Sequence, residues 1–189
     1  MTIIPVDHPD AAAQAAAVLS HNGIAVLPCD TIYGIVGAAP VTEARIREIK
    51  GRGKKTFFLM LIAEKSWTAS FTEKPLPRAL DPFWPGPLTV LFPGKKGGKV
   101  GFRIPNDRFL LAVLQRVGLP LFSTSVNISG SSPLKKVGGI IEEFGEKVDL
   151  IVDGGDLPDA VPSTIVDITT HPYTVVRQGA LRLPDHVLR

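Results

Sequence analysis

Residues 24–37 read IAVLPCDTIYGIVG, and the organisation of the chain can be worked outward from them. Residues 24–29 form a short, continuous apolar run, the pattern of a strand covered on both faces. Upstream, residues 9–22 are Ala-rich and end at Gly23, which predicts a helix with glycine at its C-terminal cap. Downstream, Thr31 and Tyr33 follow the strand in a glycine-containing loop, so hydroxyl groups stand at a strand end.

The same reading extends along the chain. Thr42 caps a helix through Ile49, with Glu43 in its first turn and Lys50 at its end, charges that complement the helix dipole; Gly51 and Gly53 break it. Residues 57–63 predict another central strand. A turn-rich stretch, PFWPGP at 82–87, leads into a strand at 88–92, and 100–104 is a further short strand. Asn106 or Asp107 caps a helix ending near Gly118, residues 119–126 form a strand that runs into the polar loop 127–132, and a helix follows around 137–144. Strands at 148–152, 164–168 and 173–177 complete the order. Strands and helices mix without strict alternation, so the expected fold class is α/β (α+β) with a mixed sheet. No internal repeat or long linker divides residues 1–189, which predicts one domain.

Composition removes several classes. Hydrophobic residues at 44% and charged residues at 21% exclude global disorder. A single cysteine excludes an internal disulfide framework and a Cys-rich zinc site. No apolar run approaches a membrane span, and the N-terminal MTIIPVDHPD lacks the basic region of a secretory signal, so a cytoplasmic setting without membrane contact is expected. The net charge of +3 is unevenly placed. No Lys or Arg precedes Arg45; then Arg45, Arg47, Lys50, Arg52, Lys54 and Lys55 arrive together, followed by Lys95, Lys96, Lys99 and Arg103, and by Lys135 and Lys136. Such clustering points either to an anionic partner, a nucleotide or nucleic acid, or to a solvated surface.

The common catalytic signatures are missing. There is no P-loop, no G-x-G-x-x-G and no G-x-S-x-G; His8, His21, His171 and His186 have no metal-ligand spacing, and no metal site is expected. Cys29 reads as a small buried apolar residue rather than a nucleophile. In Lys50-Gly51-Arg52-Gly53 two cations flank flexible backbone, a pattern that lets phosphate approach the chain. Ser125 and Asn127 lie two apart at a strand end, where both can face one side and either bind a ligand or close a local turn. Ser163 and Thr164 bring hydroxyls into one strand, and Arg177 ends another beside Gly179.

Taken in order, PCDTIYGIVG, IKGRG, PFWPGPLTVLF, GFRIPN, STSVNISG, VDLIVDGG, PSTIVD and VVRQGAL make the chain resemble the YrdC/YciO family of threonylcarbamoyl-adenylate synthases. The pieces run from about Pro28 to Leu181, with Lys50/Arg52 and Ser125/Asn127 matching the family's K-x-R and S-x-N elements; Gly53 stands where the family usually has Pro, and Thr56 and Phe57-Phe58 also depart from its pattern. The resemblance implies a twisted mixed sheet flanked by helices around a large basic cavity. It implies that L-threonine, bicarbonate and ATP, with Mg²⁺ carried on the nucleotide, give threonylcarbamoyl-AMP and pyrophosphate for the t6A37 modification of tRNA, the group then being passed on by a transferase complex. It assigns Lys50, Arg52, Asn127 and Arg177 to ATP, with Lys50 and Arg52 catalytic, and Thr31, Ser125 and Ser163 to threonine, with Arg103 for its carboxylate. The competing expectations are a tRNA- or double-stranded-RNA-binding module using the same basic residues, and a family member that binds nucleotide without turnover.

Overall fold

A computed structural model describes residues 1–51, 53 and 58–189. Among them ten strands join one mixed sheet in the order β1-β8-β2-β3-β7-β4-β6-β5-β9-β10. The strands are β1 (Thr2–Pro5), β2 (Ile24–Leu27), β3 (Gly34–Ala38), β4 (Leu59–Leu61), β5 (Leu88–Pro93), β6 (Lys99–Arg103), β7 (Leu121–Ser125), β8 (Leu150–Asp153), β9 (Thr164–Asp167) and β10 (Thr174–Arg177). Parallel pairs (β1 with β8, β8 with β2, β4 with β6, β5 with β9) occur alongside antiparallel ones, as expected of a mixed sheet.

Period-two alternation divides the core between the two faces. Ala25 and Leu27 pack with Val36, Leu61 and Leu121 beneath α1 (Ala11–Ser20) and α3 (Arg108–Val117). Ile24 and Val26 point the other way, with Ile35, Met60 and Phe122, toward α2 (Glu43–Lys50) and α4 (Val137–Phe144). Asp107 caps α3 as expected, its Oδ1 accepting from the Leu110 N–H at 2.8 Å, and Gly118 closes that helix in the left-handed region at φ 69°.

Four expectations are corrected. Strand β3 occupies residues read from sequence as loop and its sequel, and β1 was not foreseen. At the end of α1, Asn22 takes the left-handed conformation (φ 62°) in place of Gly23. Gly23 is needed for space, since a Cβ there would meet Val18 Cγ1 at 2.5 Å. Thr42 does not cap α2 with its side chain; its hydroxyl donates to the Ala38 carbonyl at 2.9 Å.

One irregularity matters for the site. On edge strand β10, Val175 faces Val166, but Arg177 rather than Val176 stands opposite Ile165. Such a bulge re-aims the side chains beyond it.

Candidate functional site

The α1/α3 layer covers only part of its face of the sheet. On the remainder, side chains two apart on neighbouring strands surround a cavity of about 200 Å³. Ser123 lies opposite Leu59, and Ser125 is one pleat further along β7. Leu61 lies opposite Arg103, Thr89 opposite Ile165, and Ile165 opposite Arg177. The register therefore brings Arg103 and Arg177, 74 positions apart in the chain, to one wall. The 28–33 loop supplies Cys29, Thr31 and Tyr33, and Ser163 closes the side beside β9.

Arg177 is fixed by Ser163: its Nε and Nη2 donate to the Ser163 carbonyl at 3.1 and 2.8 Å, and Nη2 reaches the Ser163 hydroxyl at 3.2 Å. That hydroxyl shares a 2.8 Å hydrogen bond with Thr89. Burial pulls the Arg177 guanidinium below its ordinary pKa, and the neighbouring Arg103 adds to the shift. Two guanidiniums facing one hollow create a field that favours an anion. Arg103 is 2% exposed and ion-pairs with Asp30.

Lys50, also 2% exposed, ends α2 directly behind β7. Its ammonium donates to the Ser125 carbonyl at 2.5 Å and to Asn127 Oδ1 at 2.8 Å. Ser125 donates its hydroxyl to the same Asn127 oxygen at 2.5 Å, while the Asn127 amide donates to the carbonyls of Ile128 and Ser131 at 2.8 and 2.7 Å. The two-residue spacing thus closes a local turn and also presents Ser125 to the cavity. Of the sequence-nominated residues, Thr31, Arg103, Ser125, Ser163 and Arg177 line the cavity, and Lys50 and Asn127 adjoin it through Ser125. Arg52 lies outside the described residues, as do Thr56 and Phe57. The wall also contains Thr89 and Ser123, which sequence reading missed: Thr89 is one polar residue inside an otherwise apolar strand, and Ser123 begins the Ser-Thr-Ser run that ends β7, weak signals unless the facing strands are known.

Tyr33, on the cavity wall, is held at its hydroxyl. Its hydroxyl donates to the Gly155 carbonyl and accepts from the Gly154 N–H, both at 2.8 Å. Burial raises the phenol's pKa. Burial likewise pushes the Cys29 thiol up to about 12, against a downward pull from the Arg103 charge. Several described members of the basic clusters seen in sequence are already paired. Arg45 is taken by Asp149, Arg47 by Glu43 and the Gly53 carbonyl, Lys99 by Asp167, and the Lys95 and Lys135 ammoniums by the carbonyls of Ala69 and Pro158. Among the described residues no helix is long and apolar enough to cross a membrane.

A family model, Sua5/YciO/YrdC, described as telomere recombination, matches residues 17–179. A threonylcarbamoyl-AMP synthase of Bacillus subtilis is 30% identical over 184 residues, covering 89% of this chain and 53% of that protein. The structure of Pyrococcus abyssi Sua5 complexed with L-threonine superposes with a TM-score of 0.86 at 26% identity, covering 96% of this chain and 58% of that one. Escherichia coli YciO superposes at 0.83 with 25% identity, covering 96% of both chains. The chain spans about half the length of the first curated relatives it matches.

Proposed function

Because this chain belongs to the Sua5/YciO/YrdC family, we propose that it is an L-threonylcarbamoyladenylate synthase, a nucleotidyltransferase that serves tRNA t6A37 formation in the cytoplasm. The observation that carries the reading is the convergence of two arginines and several hydroxyls on one cavity, beside a buried lysine. That donor set suits a small amino acid joined to a nucleotide phosphate. The relative solved with L-threonine supports the amino-acid half. The ten strands joined in one sheet support reading residues 1–189 as one domain.

In this mechanism the threonine amine adds to bicarbonate, water leaves, and the resulting carbamate oxygen attacks the α-phosphorus of ATP. The bond from that phosphorus to the bridging oxygen breaks and pyrophosphate departs. Catalysis rests on holding the carbamate in line with the α-phosphate and neutralising phosphate charge. Lys50, Arg52 and Arg177 serve the phosphates and Asn127 the nucleotide. Thr31, Ser125 and Ser163 hold threonine, and Arg103 its carboxylate. Hydroxyls that bond the substrate's own hydroxyl reject amino acids lacking one better than apolar contacts do. The described cavity wall is cations, hydroxyls and apolar groups without Asp or Glu. Mg²⁺ would be carried by the ATP itself and would supply neutralisation of phosphate charge alongside Lys50, Arg52 and Arg177. A transferase complex passes the group to tRNA.

The test is pyrophosphate release from purified protein with L-threonine, bicarbonate, Mg²⁺ and ATP, with the adenylate identified by mass spectrometry. Lys50→Ala should lower the rate by about 100-fold or more, the scale of losing one preorganised charged donor. Equal release by wild type and Lys50→Ala would remove the mechanism. ATP binding without threonine-dependent release would make the chain a nucleotide-binding relative, and steeply salt-dependent RNA binding without either would favour the RNA module.

A further inference from the structure

We propose that Asp30 is the positioning residue for the substrate's carboxylate, acting through Arg103. The inference rests on the reading of the cavity as the threonine site. Asp30 lies between Cys29 and Thr31, both on the cavity wall. Its two carboxylate oxygens are divided between two segments. Oδ1 accepts from Arg103 Nη1, and Oδ2 accepts from the backbone N–H of Asn106 at 3.0 Å. Asp30 is thereby anchored to the chain just ahead of α3 while it grips a side chain at the end of β6.

Arg103 depends on that grip. It is among the largest fully buried side chains, and its Nε–H has no acceptor among the described residues. A guanidinium is a rigid fork of five N–H donors. With one arm fixed by Asp30, its plane is set against the cavity wall, and donors remain for a second carboxylate. The geometry is one that Arg, unlike Lys, can offer to two carboxylates together. Asp30 also offsets the charge of a cation that shares the cavity wall with Arg177. Without it, Arg103 would be buried with neither a counter-charge nor a fixed orientation, the condition in which removing one partner of a pair is most costly.

The experiment measures pyrophosphate release by the full chain, varying L-threonine and ATP separately. Asp30→Ala should raise the KM for L-threonine at least about tenfold while the KM for ATP stays within about twofold, as expected when one partner of a buried charge pair is lost. Asp30→Asn, which keeps the shape and one acceptor oxygen, should show a smaller loss in the same direction and carries the test if the alanine variant fails to fold. The deciding readout is the double variant. Asp30→Ala in an Arg103→Ala background should add no further threonine defect, because the effect runs through Arg103, whereas a merely structural role would add. An unchanged KM for threonine in both Asp30 variants, equal losses toward both substrates, or full additivity with Arg103→Ala each overturns the proposal and leaves the synthase reading standing. A wild-type protein without threonine-dependent release overturns both.

Discussion

The chemistry of single side chains in this cavity is set by what surrounds them. Cys29 is the chain's one cysteine and lines the proposed substrate site, yet burial holds its thiol near 12. At pH 8 the reactive thiolate is thus a minor species. Native protein should therefore react with iodoacetamide at least about 100-fold more slowly than protein unfolded in urea; comparable rates would mean that the thiol is ionised or exposed. This supports reading Cys29 as wall rather than nucleophile, which sequence already favoured on residue type. Other residues were less legible. The S-x-N spacing of Ser125 and Asn127 announced that both could meet, but the lysine that ties them together sits 75 positions upstream of Ser125 and could be joined to them only through the family resemblance. Asp30 gave no signal and Thr89 only a weak one, because their meaning comes from partners on other segments.

At the scale of elements, apolar runs located β2, β5 and β8 well, since a strand buried on both faces must be nearly continuous in hydrophobic residues. Strand β3 escaped because Gly34 and Gly37 look like chain breakers. Gly37 is required instead by crowding: a Cβ there would meet Thr42 Oγ1 at 2.4 Å and Ile24 Cδ1 at 2.8 Å. Gly179 is the sharper case. It follows β10 and presses on the 162–163 backbone, where a Cβ would meet the Pro162 carbonyl oxygen at 2.2 Å and the Ser163 carbonyl carbon at 2.4 Å. Thr164 stitches the two segments, accepting from the N–H groups of Gly179 and Leu181 at 3.0 and 3.2 Å. Since backbone cannot swing aside as a flexible side chain can, Gly179→Ala should cost about 2 kcal/mol or more and lower the Tm by about 4 °C or more. It should also weaken activity, because the displaced backbone carries Arg177 and Ser163. A variant as stable and active as wild type would show that this contact yields without consequence.

Across the whole molecule, the fold class was readable from mixed strands and helices, but the order of ten strands was not, because register depends on contacts between distant segments. The cavity exists only when that order is complete, so ligand and fold are thermodynamically linked. L-threonine at about 100 times its Kd should stabilise the protein by about 2.7 kcal/mol and raise its Tm by several degrees, and Arg103→Ala should abolish the shift. A Tm unmoved by threonine would remove the assigned binding site. The bulge on β10 has a consequence of the same global kind. Val176 is 56% exposed, and it is the extra residue between the pairs Val175–Val166 and Arg177–Ile165. Deleting it would leave Arg177 opposite Ile165 in a regular ladder, but would remove the local bend and added twist that an extra residue brings to the edge, and so change the direction in which the guanidinium leaves it. An exposed valine with no chemistry of its own thus works as a shim, and the bend it introduces sets the angle at which the second cation meets the hollow.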